Sequence, residues 1–106
     1  AGLNTDDVIT QITPSEFNLA QNYPNPFNPS TSITFALDRN ADINLSIYNM
    51  LGQKIKTLAE GSKNAGTHTL QWNGLDDAGQ SVSTGIYLYK LTSGSKSITK
   101  KMAFMK

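Results

Sequence analysis

Residues 31–48 read TSITFALDRNADINLSIY. Ile33, Phe35 and Leu37 occupy alternate positions, and after a polar stretch at Asp38-Arg39-Asn40, Ile43, Leu45 and Ile47 do the same. Successive side chains of a strand point to opposite faces, so a period of two gathers each apolar triplet on one face. Two such runs read as two strands, each burying one side. The remainder of the chain extends this reading.

Residues 53–58, QKIKTL, supply Ile55 and an off-parity Leu58. Residues 67–73, THTLQWN, put His68, Leu70 and Trp72 on one face, and the shared parity with Leu70 predicts a core tryptophan. Residues 85–92, GIYLYKLT, are apolar on both parities, as expected of a central strand, with Tyr87, Tyr89 and Leu91 together on one side. Residues 96–105, KSITKKMAFM, close the chain, with Lys100 and Lys101 interrupting the alternation and leaving its facing open. Turn formers at Asn40, Gly52, Asn64 and Asp76 lie 12 residues apart, Ser93-Gly94-Ser95 adds a hairpin, and Asn73-Gly74 and Asp77-Ala78-Gly79 bracket a polar loop. No stretch of 11 or more residues has a 3.6 period, so an α/β fold lacks its helices. The chain predicts an all-β antiparallel sandwich of about seven strands.

The flanks differ from this pattern. Residues 1–16 are polar and without strong period, and are expected to be a linker or upstream remnant, with a short strand before Pro14. Residues 22–30, NYPNPFNPS, hold three of the four prolines. Proline fixes its own φ and pushes the preceding residue out of the α region, so this segment is rigid, extended or turning, and neither helix nor central strand. Tyr23 and Phe27 are expected to anchor it to the apolar interior. The chain starts at Ala rather than Met and reads as a piece of a longer polypeptide.

Composition narrows the chemistry. The 106 residues include no Cys and one His, which excludes disulfides, thiol nucleophiles and multi-histidine metal centres. Asn, Ser and Thr total 31, a surface of short amide and hydroxyl side chains that suits strands and turns. The net charge of +1 advertises no nucleic-acid partner, but it sums opposite ends. Residues 1–38 carry Asp6, Asp7, Glu16 and Asp38 and no base; residues 78–106 carry Lys90, Lys96, Lys100, Lys101 and Lys106 and no acid. Terminal lysines serve either to protect an edge strand from pairing or to offer a basic strand to a partner. His68 lies on an apolar parity with no nucleophile-elbow motif nearby, the pattern of a rim histidine. Asp76-Asp77 are adjacent and point apart, and LDDAGQ lacks the alternating ligands of a calcium loop. Of the aromatic residues, Tyr48 falls on a polar parity and is the exposed candidate for sugar stacking. No enzyme and no cofactor is expected.

Taken in order, FNLAQNYPNPFNPSTSITFAL, LSIYNMLGQKIKTL, AGTHTLQWNG, STGIYLYKL and the closing KKMAFMK resemble the C-terminal sorting domain of the type IX secretion system, most closely its type A form. The strand order and the WNGLDDAGQ loop are also similar to the immunoglobulin-like domain of flagellar hook-capping proteins. The resemblance covers residues 17–106, and its most specific part is QNYPNPFNPST. It implies an immunoglobulin-like sandwich that carries a folded cargo from the periplasm through an outer-membrane translocon to the cell surface or medium. A sortase-like peptidase is then implied to remove the domain, cutting within or beside residues 1–16, or to attach the cargo to the surface. The positions that match the family are Pro24, Asn25, Pro26 and Phe27, then Gly85, Tyr87 and Tyr89, then Lys101 and Lys106. A rigid proline segment would bind at low entropic cost, an unpaired terminal strand could be read by strand addition, and its lysines would steer toward an acidic partner. The other readings are a sugar-binding accessory module of a secreted glycoside hydrolase and a structural spacer.

Overall fold

The structure is a computed structural model and describes residues 17–106. The expected linker, its strand before Pro14 and the cleavage segment lie outside the described residues. Seven strands follow in order: β1 (Asn18–Leu19), β2 (Thr31–Leu37), β3 (Ala41–Asn49), β4 (Lys54–Lys63), β5 (Gly66–Trp72), β6 (Gly85–Ser93) and β7 (Lys96–Phe104). They form two antiparallel sheets, β1-β2-β5 and β4-β3-β6-β7. The sandwich and its strand number agree with the alternation in the sequence, and the architecture is immunoglobulin-like.

The apolar parities meet between the sheets. Leu19, Ile33, Phe35, Leu37 and Trp72 come from the smaller sheet; Ile43, Leu45, Ile47, Tyr87, Tyr89, Leu91, Met102 and Phe104 come from the larger. Each of these side chains is almost wholly removed from water, which on the usual transfer scale is worth about 1.5–3 kcal/mol apiece before the entropy of ordering them.

Two local features explain what simple alternation misses. β4 runs to Lys63 rather than Leu58, and its pairing with β3 slips between Leu45 and Ser46 and again between Ile47 and Tyr48. The slips leave Leu58 and Ile55 as extra residues, and such bulges re-aim side chains. Both residues, three apart, therefore pack against the core, which accounts for the off-parity Leu58. The second feature is Gly74. Its φ of +76° favours glycine, and a Cβ there would lie 2.9 Å from the Phe104 ring. The loop after β5 can thus lie flat on the end of β7.

β6 is central, flanked by β3 and β7, yet only its inner face is covered. Ile86 is exposed and Leu88 half-buried. Central position satisfies a strand's backbone edges, while its outer face belongs to solvent. Apolar residues on both parities of β6 therefore exceed what its place in this sheet demands. Lys100 and Lys101 are also resolved. Lys100 sits opposite Tyr89 on the inner parity at the rim, half-buried; Lys101 sits opposite Leu88 on the outer face, exposed.

Candidate functional site

The proline segment cannot join a ladder as an ordinary strand, because Pro24, Pro26 and Pro29 donate no N–H. Its peptide bonds before all three prolines are cis. The remaining donors and the amide side chains carry its contacts. Tyr23 exchanges two backbone hydrogen bonds with Ser32 (3.0 and 2.9 Å). The Asn22 N–H donates to the Tyr89 hydroxyl (2.8 Å), and that hydroxyl donates to the Ala20 carbonyl (2.8 Å). Asn22 Nδ2 donates to Thr31 Oγ1 (3.0 Å) and to the Pro24 carbonyl (3.1 Å), and Thr31 Oγ1 donates to the same carbonyl (2.8 Å). Asn22 and Thr31 are both buried, so these bonds satisfy polar groups that water cannot reach.

The segment then runs along the outer edge of β7. The Gln21 side chain donates to the Lys101 carbonyl (2.7 Å), the Ala103 N–H donates to Asn25 Oδ1 (2.9 Å), and the Phe27 N–H donates to the Ala103 carbonyl (3.0 Å). Met105 N–H closes the set on the Phe27 carbonyl (3.1 Å). Phe27 turns inward, with its ring centre 4.9 Å from that of Phe104 and 5.6 Å from that of Trp72, and Trp72 meets Tyr87 edge-on at 5.6 Å. The Trp72 Nε1–H donates to the Leu75 carbonyl (2.8 Å), tying the polar loop to the same cluster.

Burial pushes the Tyr89 hydroxyl up from its ordinary 10.0 to about 12, against the opposing pull of the Asn22 N–H. Tyr89 is therefore neutral at physiological pH, and its proton is held on the Ala20 carbonyl.

These contacts divide the nine positions that the resemblance singles out. Pro24, Asn25, Pro26, Lys101 and Lys106 are exposed. Phe27, Tyr87 and Tyr89 are buried at 2%, 5% and 0% exposure, so their side chains hold the surface in place rather than touch a partner. Tyr87 donates to the Ser83 carbonyl (2.6 Å), and Gly85 lies half-buried opposite Phe104. The Lys106 N–H reaches Thr84 Oγ1 (3.1 Å). Strand addition at Lys101–Met105 meets an occupied edge, since residues 21–27 already take those backbone groups.

Other expectations are corrected or explained. Tyr23 is no anchor: its side chain is 81% exposed, because its backbone is pinned by Ser32 with the ring outward. Trp72, Tyr87 and Tyr89 are core, as their parities indicate. Tyr48 is half-buried. Asp76 is consumed by its own turn, accepting from Ala78 N–H (3.0 Å) and Gln80 N–H (2.9 Å), while Asp77 turns to Thr57 N–H (3.3 Å) and Lys56 (3.8 Å). The His68 Nε2–H donates to the Asn64 carbonyl (2.8 Å), and the ring stacks on Phe35. Among the described residues no group of three His, Asp or Glu gathers as a metal site, and no helix is long and apolar enough to cross a membrane. Sequence reading passed over Gln21 and Asn22, whose buried and long-range bonds leave no periodic trace. It also passed over Met50 and Leu51, whose signal is two large apolar residues inside a turn ending at Gly52.

The comparisons agree with this architecture. The FlgD Ig-like domain family matches residues 22–97, well over half of the chain. No curated protein matches it. Among solved structures, dimeric latent PorU from Porphyromonas gingivalis aligns over 79% of this chain with a TM-score of 0.68 and 18% identity. FlgD from P. aeruginosa aligns over 70% with a TM-score of 0.55 and 17% identity. PorZ from Porphyromonas gingivalis, an essential surface component of that bacterium's type IX secretion system, aligns over 81% with a TM-score of 0.56 and 23% identity. The chain spans 9%, 57% and 11% of those three proteins, and at such identities the likeness is one of fold. With its sandwich and a family match that runs from the proline segment through β2 to β6 and into the start of β7, this chain belongs to the FlgD Ig-like domain family.

Proposed function

We propose that the domain is a non-catalytic C-terminal sorting module of the type A kind. It directs a folded cargo in the same polypeptide from the periplasm through the type IX outer-membrane translocon to the cell surface or medium. The observation that carries this reading is the locked junction of the proline segment with β7. Four hydrogen bonds between Gln21, Asn25 and Phe27 on one side and residues 101–105 on the other fix Pro24, Asn25, Pro26 and Lys101 as one preformed exposed surface. A signal read after the cargo has folded requires such a surface, because ordering it on binding would cost affinity. The likeness of fold to PorU and PorZ supports the same reading. A sortase-like peptidase then removes the domain or uses it for surface attachment. The sugar-binding alternative would have to rest on the exposed Tyr23 and the half-buried Tyr48, since Trp72, Tyr87 and Tyr89 are core.

A test must keep the fold intact. Deleting residues 101–106 would remove Met102 and Phe104 from the core, and so would report on folding. The informative experiment fuses residues 1–106 to a periplasmic reporter in a host with a type IX system and follows surface delivery by protease accessibility on intact cells. The reporter is expected outside; a folded fusion that stays in the periplasm contradicts the proposal.

A further inference from the structure

The outer face of the four-stranded sheet breaks the polar rule for a solvent-facing side. Register places Lys54, Tyr48, Leu88 and Lys101 in one row across β4, β3, β6 and β7. The next row pairs Ile86 with Ala103. Beside it a groove of about 240 Å³ is lined by Asn25, Met50, Ile86, Lys101, Met102 and Ala103. Met50 and Ile86 are 59% and 45% exposed. The result is an apolar stripe with a lysine at each side, and Lys90, opposite Ser46, adds a third. Among the described residues none of the three lysines makes an ion pair. The acids of this face, Asp42 and Glu60, lie at its other end, paired with Ser62 and Asn44.

The stripe is rigid. Asn49 Oδ1 accepts from Leu51 N–H (2.9 Å) and Gln53 N–H (3.0 Å), and Asn49 N–H donates to the Gln53 carbonyl (3.0 Å), so the turn holds Met50 outward. Asn25 and Gln21 hold the β7 side.

From this geometry we infer that the stripe is a docking site for an acidic protein segment whose apolar side chains enter the Met50–Ile86 groove and whose carboxylates meet Lys54 and Lys101. Charge decides the occupant. A second copy with its stripe on this stripe would set lysines against lysines, which costs rather than gains, and one turned to bring Asp42 and Glu60 onto those lysines would offer the groove only their polar neighbours Asn44 and Ser62. A partner with carboxylates beside apolar anchors matches both features, and the anchors supply the affinity while the charges supply orientation and rate. The inference rests on the export reading for the setting in which such a partner is met, and it names the surface that reading would use.

The test titrates the full 106-residue chain, labelled for amide NMR, with a short synthetic peptide alternating Glu and Leu. Controls alternate Lys with Leu and Glu with Ser. Saturable shifts are expected at Tyr48, Met50, Ile86, Leu88, Lys101 and Ala103 with the Glu/Leu peptide alone. The double variant Lys54→Glu/Lys101→Glu, its fold checked by Trp72 emission, is expected to bind about tenfold or more weakly. Equal binding of the Lys/Leu peptide, shifts confined to the Ser97–Thr99 edge, self-association through the stripe, or tighter capture by anionic phosphatidylglycerol vesicles would each overturn the inference. In the reporter fusion, the double variant is expected to remain in the periplasm while wild type is delivered. Delivery of both overturns the docking site alone; retention of both overturns the export reading, and the docking role with it.

Discussion

Phe27→Ala is expected to cost about 3–5 kcal/mol of stability, the usual range for truncating a buried aromatic. Phe27 is 2% exposed and touches both Trp72 and Phe104, so its removal opens a cavity where the proline segment, β5 and β7 meet. A domain of this size has about 5–15 kcal/mol in total, and such a loss lowers Tm by on the order of 15 °C or more. Thermal unfolding followed by the emission of Trp72, the chain's single tryptophan, measures it. Tyr23→Ala is the matched control: same segment, 81% exposed, and expected within about 0.5 kcal/mol of wild type. A Phe27→Ala protein as stable as the control would mean that the segment does not dock as described.

Tyr89→Phe removes one oxygen and leaves two partners behind. The Asn22 N–H and the Ala20 carbonyl both lose the hydroxyl that joins them, and an orphaned buried polar group costs about 1–3 kcal/mol. The effect also has a pH signature. The folded hydroxyl titrates near 12 against an ordinary 10.0. A raised folded value means that the unfolded chain releases its proton first as pH climbs. The stabilisation from neutral Tyr89 is therefore complete below about pH 10 and declines as pH rises toward about 12. Phenylalanine has no such titration. The stability gap between wild type and Tyr89→Phe, read from urea midpoints, should be widest at neutral pH and shrink through that window. A gap that is constant or grows with pH contradicts the assignment.

The strands were legible because a sandwich with one wet face per sheet writes its inner side into every second residue. Ile33, Phe35 and Leu37, and likewise Ile43, Leu45 and Ile47, fell where their parity placed them. Leu58 resisted that rule because two bulges in β4 shift the parity, and a bulge is a property of pairing rather than of one strand. The candidate surface was legible only in outline. The proline spacing announced a rigid segment, but nothing in it told Phe27, which turns in, from Tyr23, which turns out. That difference is set by which residue lies beside Trp72 and Phe104, two contacts far apart in the chain. Apolar residues on both parities of 85–92 read as a central strand, which β6 is; folded, its second face is the outer one, where Ile86 is exposed and Leu88 half-buried.

The central claim is that a folded FlgD Ig-like domain serves here as an export address. Its most direct measurement is the surface fraction of a periplasmic reporter carrying residues 1–106, compared between a host with a working type IX translocon and the same host lacking it. The account predicts delivery in the first and periplasmic accumulation of an intact, folded fusion in the second. Equal localisation in the two hosts, whether outside or inside, would contradict it.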